Sequence, residues 1–125
     1  MRGMTQTLLL LGLGLVAGTI SGLFGIGAGV VITPALLWLC QLSQTSAQGV
    51  AYTVMVPMAL LGAWRYHSQP GVEIDWRVAG LIASTCLLGV WLGSHLAFAA
   101  EEQLLRRAFG IYLVGTGAYL LIGGR

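Results

Sequence analysis

Residues 21–34 of the chain read SGLFGIGAGVVITP. Four glycines fall within eight positions of this stretch, in the middle of an apolar run that would otherwise favour a helix. Because each glycine costs a helix interior roughly 1 kcal/mol relative to alanine, we predict that the helix breaks here. The alternative is that the glycines only allow close helix packing, since Gly14, Gly18 and Gly22 recur at four-residue spacing into the same stretch.

A break in an apolar segment indicates a candidate site. Hydrocarbon cannot hydrogen-bond a freed backbone, so irregular chain at membrane depth is buried in protein or lines a watery cavity. Backbone N–H groups near glycines, or at the start of a half-helix, bind anions. The residues of this stretch that we expect to bind substrate are Gly25, Gly27, Ala28, Gly29, Thr33 and Pro34.

The composition predicts an integral membrane protein. Of the 125 residues, 57% are hydrophobic and only 8% are charged, far below the quarter that is usual for soluble domains. All six basic residues are arginines and they are dispersed along the chain, so no nucleic-acid partner is expected. We predict an all-α, polytopic, multi-pass protein of the cell inner membrane, with the lipid bilayer as its surroundings.

The first apolar segment is too long for one ordinary crossing. Residues 7–40 contain no charge, and as one straight helix they would be about 51 Å long, against a hydrocarbon core of about 30 Å. Either the segment crosses once as two half-helices, or it crosses and returns partway. We do not interpret residues 8–16 as a signal peptide, because the apolar run resumes directly after Gly22.

About four spans are expected, the first of them broken or re-entrant. The second is expected from Ala47 to Trp64, with Ser46 or Thr45 as its cap, and the third from Val78 to Ala100. The fourth is expected to run up to about Ile122. At its start, Glu101 and Glu102 are expected to pair with Arg106 and Arg107.

Other side chains are weaker candidates for a site. Tyr52 and Thr53, beside the kink expected at Pro57, would offer hydroxyl groups if they faced the glycines. In the polar loop that follows, Arg65 and His67 are candidates for gating or for attracting an anion. The aromatic residues at this loop, Tyr66 included, are interpreted as an interfacial belt.

No metal or cofactor is expected. Cys40 and Cys86 lie in apolar segments without a CxxC pattern, so each is interpreted as inert packing. His95 is interpreted as an interfacial or hydrogen-bonded residue.

Arginine positions give an orientation if residues 7–40 count as one crossing. Arg2, Arg65, Arg77 and Arg125 then lie on one side and the pair at 106 and 107 on the other. The positive-inside rule places both termini in the cytoplasm, by a difference of two arginines.

Three motifs in order resemble the sulfite exporter TauE/SafE family. They are the glycine-rich stretch from Gly22 to Gly29 followed by Thr33-Pro34, the loop from Arg65 to Arg77, and Leu88-Gly89-x3-Gly93. The family's triple glycine reads Gly27-Ala28-Gly29 here. The chain has a single repeat where family members usually carry two, so it is interpreted as one transmembrane domain, residues 1–125, equivalent to one repeat.

The resemblance implies a secondary transporter of small sulfur-containing anions, such as sulfite, sulfoacetate or related organosulfur anions. A single repeat implies action as a homodimer or together with a second half-transporter. The alternatives are a membrane assembly partner that does not transport and a small four-span exporter of other substrates. We do not expect an enzyme, because no catalytic triad or metal-ligand spacing is present.

Overall fold

The computed structural model describes residues 2–123, except the side chain of Arg2, and these residues form helices joined by short turns. The helices are α1 (Arg2–Phe24), α2 (Gly29–Leu39), α3 (Gln44–His67), α4 (Trp76–Ala99) and α5 (Glu102–Gly123). The predicted all-α fold is confirmed. Arg125, which entered the orientation argument, lies outside the described residues.

Three helices of the described chain are long and apolar enough to cross a membrane, namely α1 from Gly3, α3 and α4. The 11 residues of α2 give a length of about 17 Å, roughly half of a hydrocarbon core of about 30 Å. Helix α5 has sufficient length but is not among the three, and its first turns carry Glu102, Arg106 and Arg107. The protein is a polytopic helical membrane protein.

The predicted break is confirmed between Phe24 and Gly29. Gly25 has φ 66°, and its N–H donates to the Ser21 carbonyl at 2.7 Å. This is the left-handed residue and single backbone bond of an αL helix C-cap. Gly27 is also left-handed, with φ 78°. Two left-handed residues in three positions reverse the direction of the chain.

After the break the chain returns along α1. Gln6 Nε2, near the start of α1, donates to Cys40 Sγ at the C-cap of α2, 3.5 Å away, although 34 positions separate the two residues. A straight helix would separate them by about 51 Å. The single-crossing alternative is therefore wrong, and residues 7–40 fold back.

Helix α3 runs in the same direction as α1. It begins four residues after Cys40, and near its far end Tyr66 Oη donates to the Gly22 carbonyl at 2.7 Å. The start of α1 and Arg65 therefore lie at opposite ends of this unit. The predicted orientation, with both termini in the cytoplasm, assumed a single crossing that placed Arg2 and Arg65 on one side, so the fold-back removes its basis.

The cap of α3 differs from the prediction by two or three positions. Ser43 is the N-cap, and its Oγ accepts from the N–H of Ser46 at 3.2 Å. Ser46 and Thr45 lie inside the first turn. Two serines and a threonine within four residues offered the sequence several equivalent caps, and only the backbone geometry selects one.

The described chain forms two compact units, Met1–Glu73 and Ile74–Arg125. The core of the first unit is small and lies between α2 and its neighbours. Its fully or nearly buried apolar residues are Ala17, Ala28, Ile32, Leu36, Ala47 and Ala51. The small alanines let α2 pack closely against α1 and α3. Side-chain packing therefore holds α2 in place although the helix is short.

The second unit contains α4 and α5. Asp75 caps α4, because its Oδ1 accepts from the N–H groups of Arg77 and Val78 at 3.0 and 3.1 Å. None of the described residues 76–99 is buried. In α5 the expected charge pairing takes the form of Arg106 and Glu102, 3.7 Å apart. Both partners are exposed, so this pair contributes little to stability.

The return of α2 predicts a specific cross-link. In a Cys86→Ser background, Gln6→Cys is expected to be bridged to the native Cys40 by a short bismaleimide, because the two side chains are in contact. Mass spectrometry of the cross-linked peptides measures the product. The matched control is Leu23→Cys, at the other end of α1. A bridge from position 23 without one from position 6 would contradict the fold-back.

Candidate functional site

A cleft of about 650 Å³ lies in the first unit, between the C-terminal halves of α1 and α3. It lies beyond the N-terminal end of the short helix α2. Small residues of α1 form one wall, among them Gly18, Ser21 and Gly22. The break contributes Gly25 and Gly27. The cleft therefore exists because α2 is about half as long as the helices beside it.

The N-terminal end of α2 lies next to this cleft. Gly27 lines it, and α2 starts two residues later. The hydrogen-bond ladder of α2 begins with the N–H groups of Val31 and Ile32, which both donate to the Ala28 carbonyl. The earlier N–H groups of a helix have no intrahelical acceptor, and they carry the positive end of the helix dipole. This is an environment that favours an anion.

Helix α3 forms the opposite wall with thioether side chains, from Met55 and Met58. Met55 lies directly against the break, because a Cβ atom at Gly29 would come within 2.5 Å of its terminal methyl. A methionine can adjust its shape at such a contact. The wall opposite the glycines is thus apolar and adaptable.

Polar groups gather at one end of the cleft. Arg65, Tyr66 and Gln69, from the last turn of α3 and the residues after it, all line it, and Ser21 faces them from α1. No lining residue carries a carboxylate. Arg65 makes no ion pair with any residue in the described range 2–123. The cleft therefore offers a cation and hydrogen-bond donors without an acidic competitor.

Three of the predicted site residues lie together in this cleft, namely Gly25, Gly27 and Arg65. The first two are the left-handed residues of the break, so the same glycines shape the backbone and form the wall. Arg65 reaches the cleft because α3 runs parallel to α1 and ends beside the end of α1.

The other predicted residues of the glycine-rich stretch do not line the cleft. Ala28 is completely buried, in the right-handed conformation (φ −76°) that alanine adopts without strain. Gly29 contacts Met55. Thr33 is 3% exposed inside α2, and Pro34 is exposed on the same helix. The middle position of the family's triple glycine thus tolerates a Cβ, because that position faces the core.

Tyr52, Thr53 and Pro57 do not line the cleft. Helix α3 faces α2 with positions 47, 51 and 55, at four-residue spacing, so positions 52 and 53 are rotated away from that face. Thr53 Oγ1 donates to the Gly49 carbonyl of its own helix at 2.9 Å. His67, the last residue of α3, is exposed and also lies outside the lining.

The cleft is also lined by Tyr66, Ser21, Met55 and Gln69, which were not among the residues predicted from the sequence. Tyr66 was interpreted only as part of an interfacial belt, and its partner Gly22 is 44 positions away. The available signal was the spacing of Arg65, Tyr66 and Gln69, which share about one turn of chain. That signal acquires meaning only when the fold-back brings α1 beside it.

Comparison with known proteins gives the family of the chain. The sequence profile of the family described as "Sulfite exporter TauE/SafE" matches residues 10–125. The chain belongs to the sulfite exporter TauE/SafE family. This family resemblance, first carried by the motifs at Gly22–Gly29, Arg65–Arg77 and Leu88–Gly93, is confirmed over almost the whole chain.

Individual relatives are named as transporters. The chain is 30% identical over 109 residues to a "Probable membrane transporter protein" of Xylella fastidiosa, covering 86% of this chain and 41% of that protein. It is 41% identical over 117 residues to the "Probable membrane transporter protein YunE" of Bacillus subtilis, covering 88% and 42%. The chain thus spans less than half the length of these relatives. No solved structure gives a significant match.

The left-handed glycines predict a stability difference. Gly25→Ala and Gly27→Ala should each lower the free energy of unfolding by roughly 1–2 kcal/mol, because an L-residue is strained at positive φ. Gly22→Ala, in helical conformation with open space around its Cβ position, should be neutral or stabilising by up to about 1 kcal/mol. Unfolding in mild detergent by titration with SDS measures all three. Equal effects would contradict the assigned backbone.

Proposed function

We propose that this chain is one half of a secondary transporter of small sulfur-containing oxyanions in the inner membrane, and that the cleft beside the broken helix binds the substrate. The observation that carries the proposal is the half-length helix α2, whose N-terminal end adjoins a cleft lined by Arg65 and free of carboxylates. Discontinuous helices whose half-helix N-termini point at anionic groups recur in secondary transporters.

The depth of the break supports a transport site. The C-terminal end of α2 lies beside Cys40, at the Gln6 end of α1. From there α2 extends about 17 Å back toward the other end of α1. If α1 spans the hydrocarbon core, the N-terminus of α2 lies near the middle of the bilayer. Transporter sites typically lie near this midplane, where irregular backbone is tolerated because it lines a cavity.

The charges of the cleft favour an anion over a cation. The positive end of a helix is equivalent to roughly half an elementary charge, and Arg65 adds a full charge with five N–H donors. An oxyanion of sulfur carries several acceptor oxygens for these donors. Among the lining side chains, a cation would find neither a carboxylate nor a ring of carbonyl groups that could coordinate it.

A paired assembly belongs to the proposal, and the chain matches only part of each relative. It covers 41% of the relative from Xylella fastidiosa and 24% of the "Sulfite exporter TauE/SafE family protein 6" of Arabidopsis thaliana. A homodimer or a second half-transporter would supply the other wall of a transport path, as the second repeat does in full-length secondary transporters. We propose sulfite and sulfoacetate as substrates because of the family's name and because the cleft contains hydrogen-bond donors.

Transport by the purified chain tests the proposal. Proteoliposomes containing the chain should take up radiolabelled sulfite, and Gly27→Leu should abolish the flux, because the new side chain strains the backbone and enters the cleft. Gly14→Leu, on α1 outside the cleft with open space around it, should keep the flux. Unchanged flux in Gly27→Leu would refute the site.

Access of water to the cleft separates a transporter from a membrane assembly partner that does not transport. In a cysteine-free background, Ala59→Cys should react with a membrane-impermeant thiol reagent, and sulfite should slow the reaction, because Ala59 is exposed and lines the cleft. Ser84→Cys on α4, outside the cleft, should show no protection. Complete resistance at position 59 would favour the assembly partner.

A further inference from the structure

The C-terminal end of α1 is capped in two different ways. The last carbonyl groups of a helix have no intrahelical donor. The N–H of Gly25 donates to Ser21, and an αL cap of this kind leaves the next carbonyl to another donor. Tyr66 Oη, from α3, supplies that donor to Gly22 at 2.7 Å. One hydroxyl group thus fastens the last turn of α1 to the last turn of α3.

This hydroxyl group belongs to the cleft itself. Tyr66 lines the cleft together with its neighbour Arg65, and Gly22 lines the wall opposite. A tyrosine hydroxyl has a single proton to donate. It can donate to the Gly22 carbonyl or to a bound ligand, but not fully to both.

A sulfur oxyanion is the stronger acceptor of the two. Hydrogen bonds to charged oxygens are roughly twice as strong as those to neutral ones. An oxyanion held by the Arg65 guanidinium presents further oxygens to the residue next in sequence. A polyatomic anion can therefore engage both side chains, whereas a monatomic anion offers a single acceptor atom.

We propose that Tyr66 is a latch released by substrate: its hydroxyl group stops donating a hydrogen bond to the Gly22 carbonyl and donates to an oxygen of the bound oxyanion instead. The proton stays on the tyrosine throughout. This inference rests on the proposed function. Release frees the end of α1 directly before the left-handed Gly25, where the backbone already changes direction. The freed Gly22 carbonyl faces the cleft and is satisfied there by water.

Distance measurements between the two helix ends test the latch. Spin labels are placed at Leu23→Cys and Trp64→Cys, two exposed positions outside the cleft lining, with Cys40→Ser and Cys86→Ser as background. With Tyr66 present, saturating sulfite should move the electron–electron distance distribution to longer values. Chloride at the same ionic strength should leave the distribution unchanged; an equal shift with chloride would overturn the latch.

The variant Tyr66→Phe removes the proton and keeps the ring. Its distance distribution should already be long without sulfite and should not respond to sulfite. Its KM for sulfite transport should rise about tenfold, because a hydrogen bond to a charged group is lost. Tyr112→Phe, on α5 and outside the cleft, should behave like the parent chain in both measurements. A merely structural role would leave the sulfite response of Tyr66→Phe intact and would overturn the latch.

The outcomes separate the latch from the proposed function. Suppose that sulfite flux depends on Gly27, but sulfite does not change the distance between the spin labels in the chain that retains Tyr66. This result overturns the latch alone. Absence of flux together with absence of protection at Ala59→Cys overturns both. The distance measurement on the chain that retains Tyr66 decides whether substrate releases the latch, even if Tyr66→Phe does not fold.

Discussion

Every backbone polar group inside a bilayer needs a partner from the protein or from enclosed water, and this constraint organises the first unit. A helix that stops at Phe24 exposes carbonyl groups, and a helix that starts at Gly29 exposes N–H groups. Two of the last carbonyl groups of α1 have donors: Ser21 accepts from the N–H of Gly25, and Gly22 accepts from the hydroxyl of Tyr66. The N–H end of α2 lies next to the cleft. One constraint thus accounts for the cap of α1, and the N-terminus of α2 lies beside the cleft that we propose as the binding site.

The break in the first apolar segment was predictable because glycine spacing is a local signal. A left-handed backbone conformation strongly favours glycine, although Gln41 also adopts it, and the sequence shows glycines at both left-handed positions of the break. The direction of the chain after the break was not predictable in this way. A segment without charges satisfies the bilayer whether it continues or returns, and only the contact between Gln6 and Cys40, remote in sequence, decides between the two.

The predicted site residues divide in a similar way. Gly25, Gly27 and Arg65, identified from chemistry that each residue carries by itself, line the cleft. Tyr52 and Thr53 do not line it, because their position depends on which face of α3 meets α2, and alanines set that face. A small side chain gives a weak signal in a sequence, yet Ala47 and Ala51 fix the rotation of the helix. Tyr66 was missed because its partner is a backbone atom, which no side-chain pattern reveals.

The shortness of α2 also has a consequence for how the chain enters the membrane during synthesis. Helix α1 is long and apolar enough to partition into the bilayer unaided. Helix α2, at about 17 Å, is too short to do so, and its buried Ile32 and Leu36 need the alanines of α3 as a packing surface. We therefore expect stable insertion of α2 to follow the translation of α3, so that the two helices enter as a hairpin beside α1.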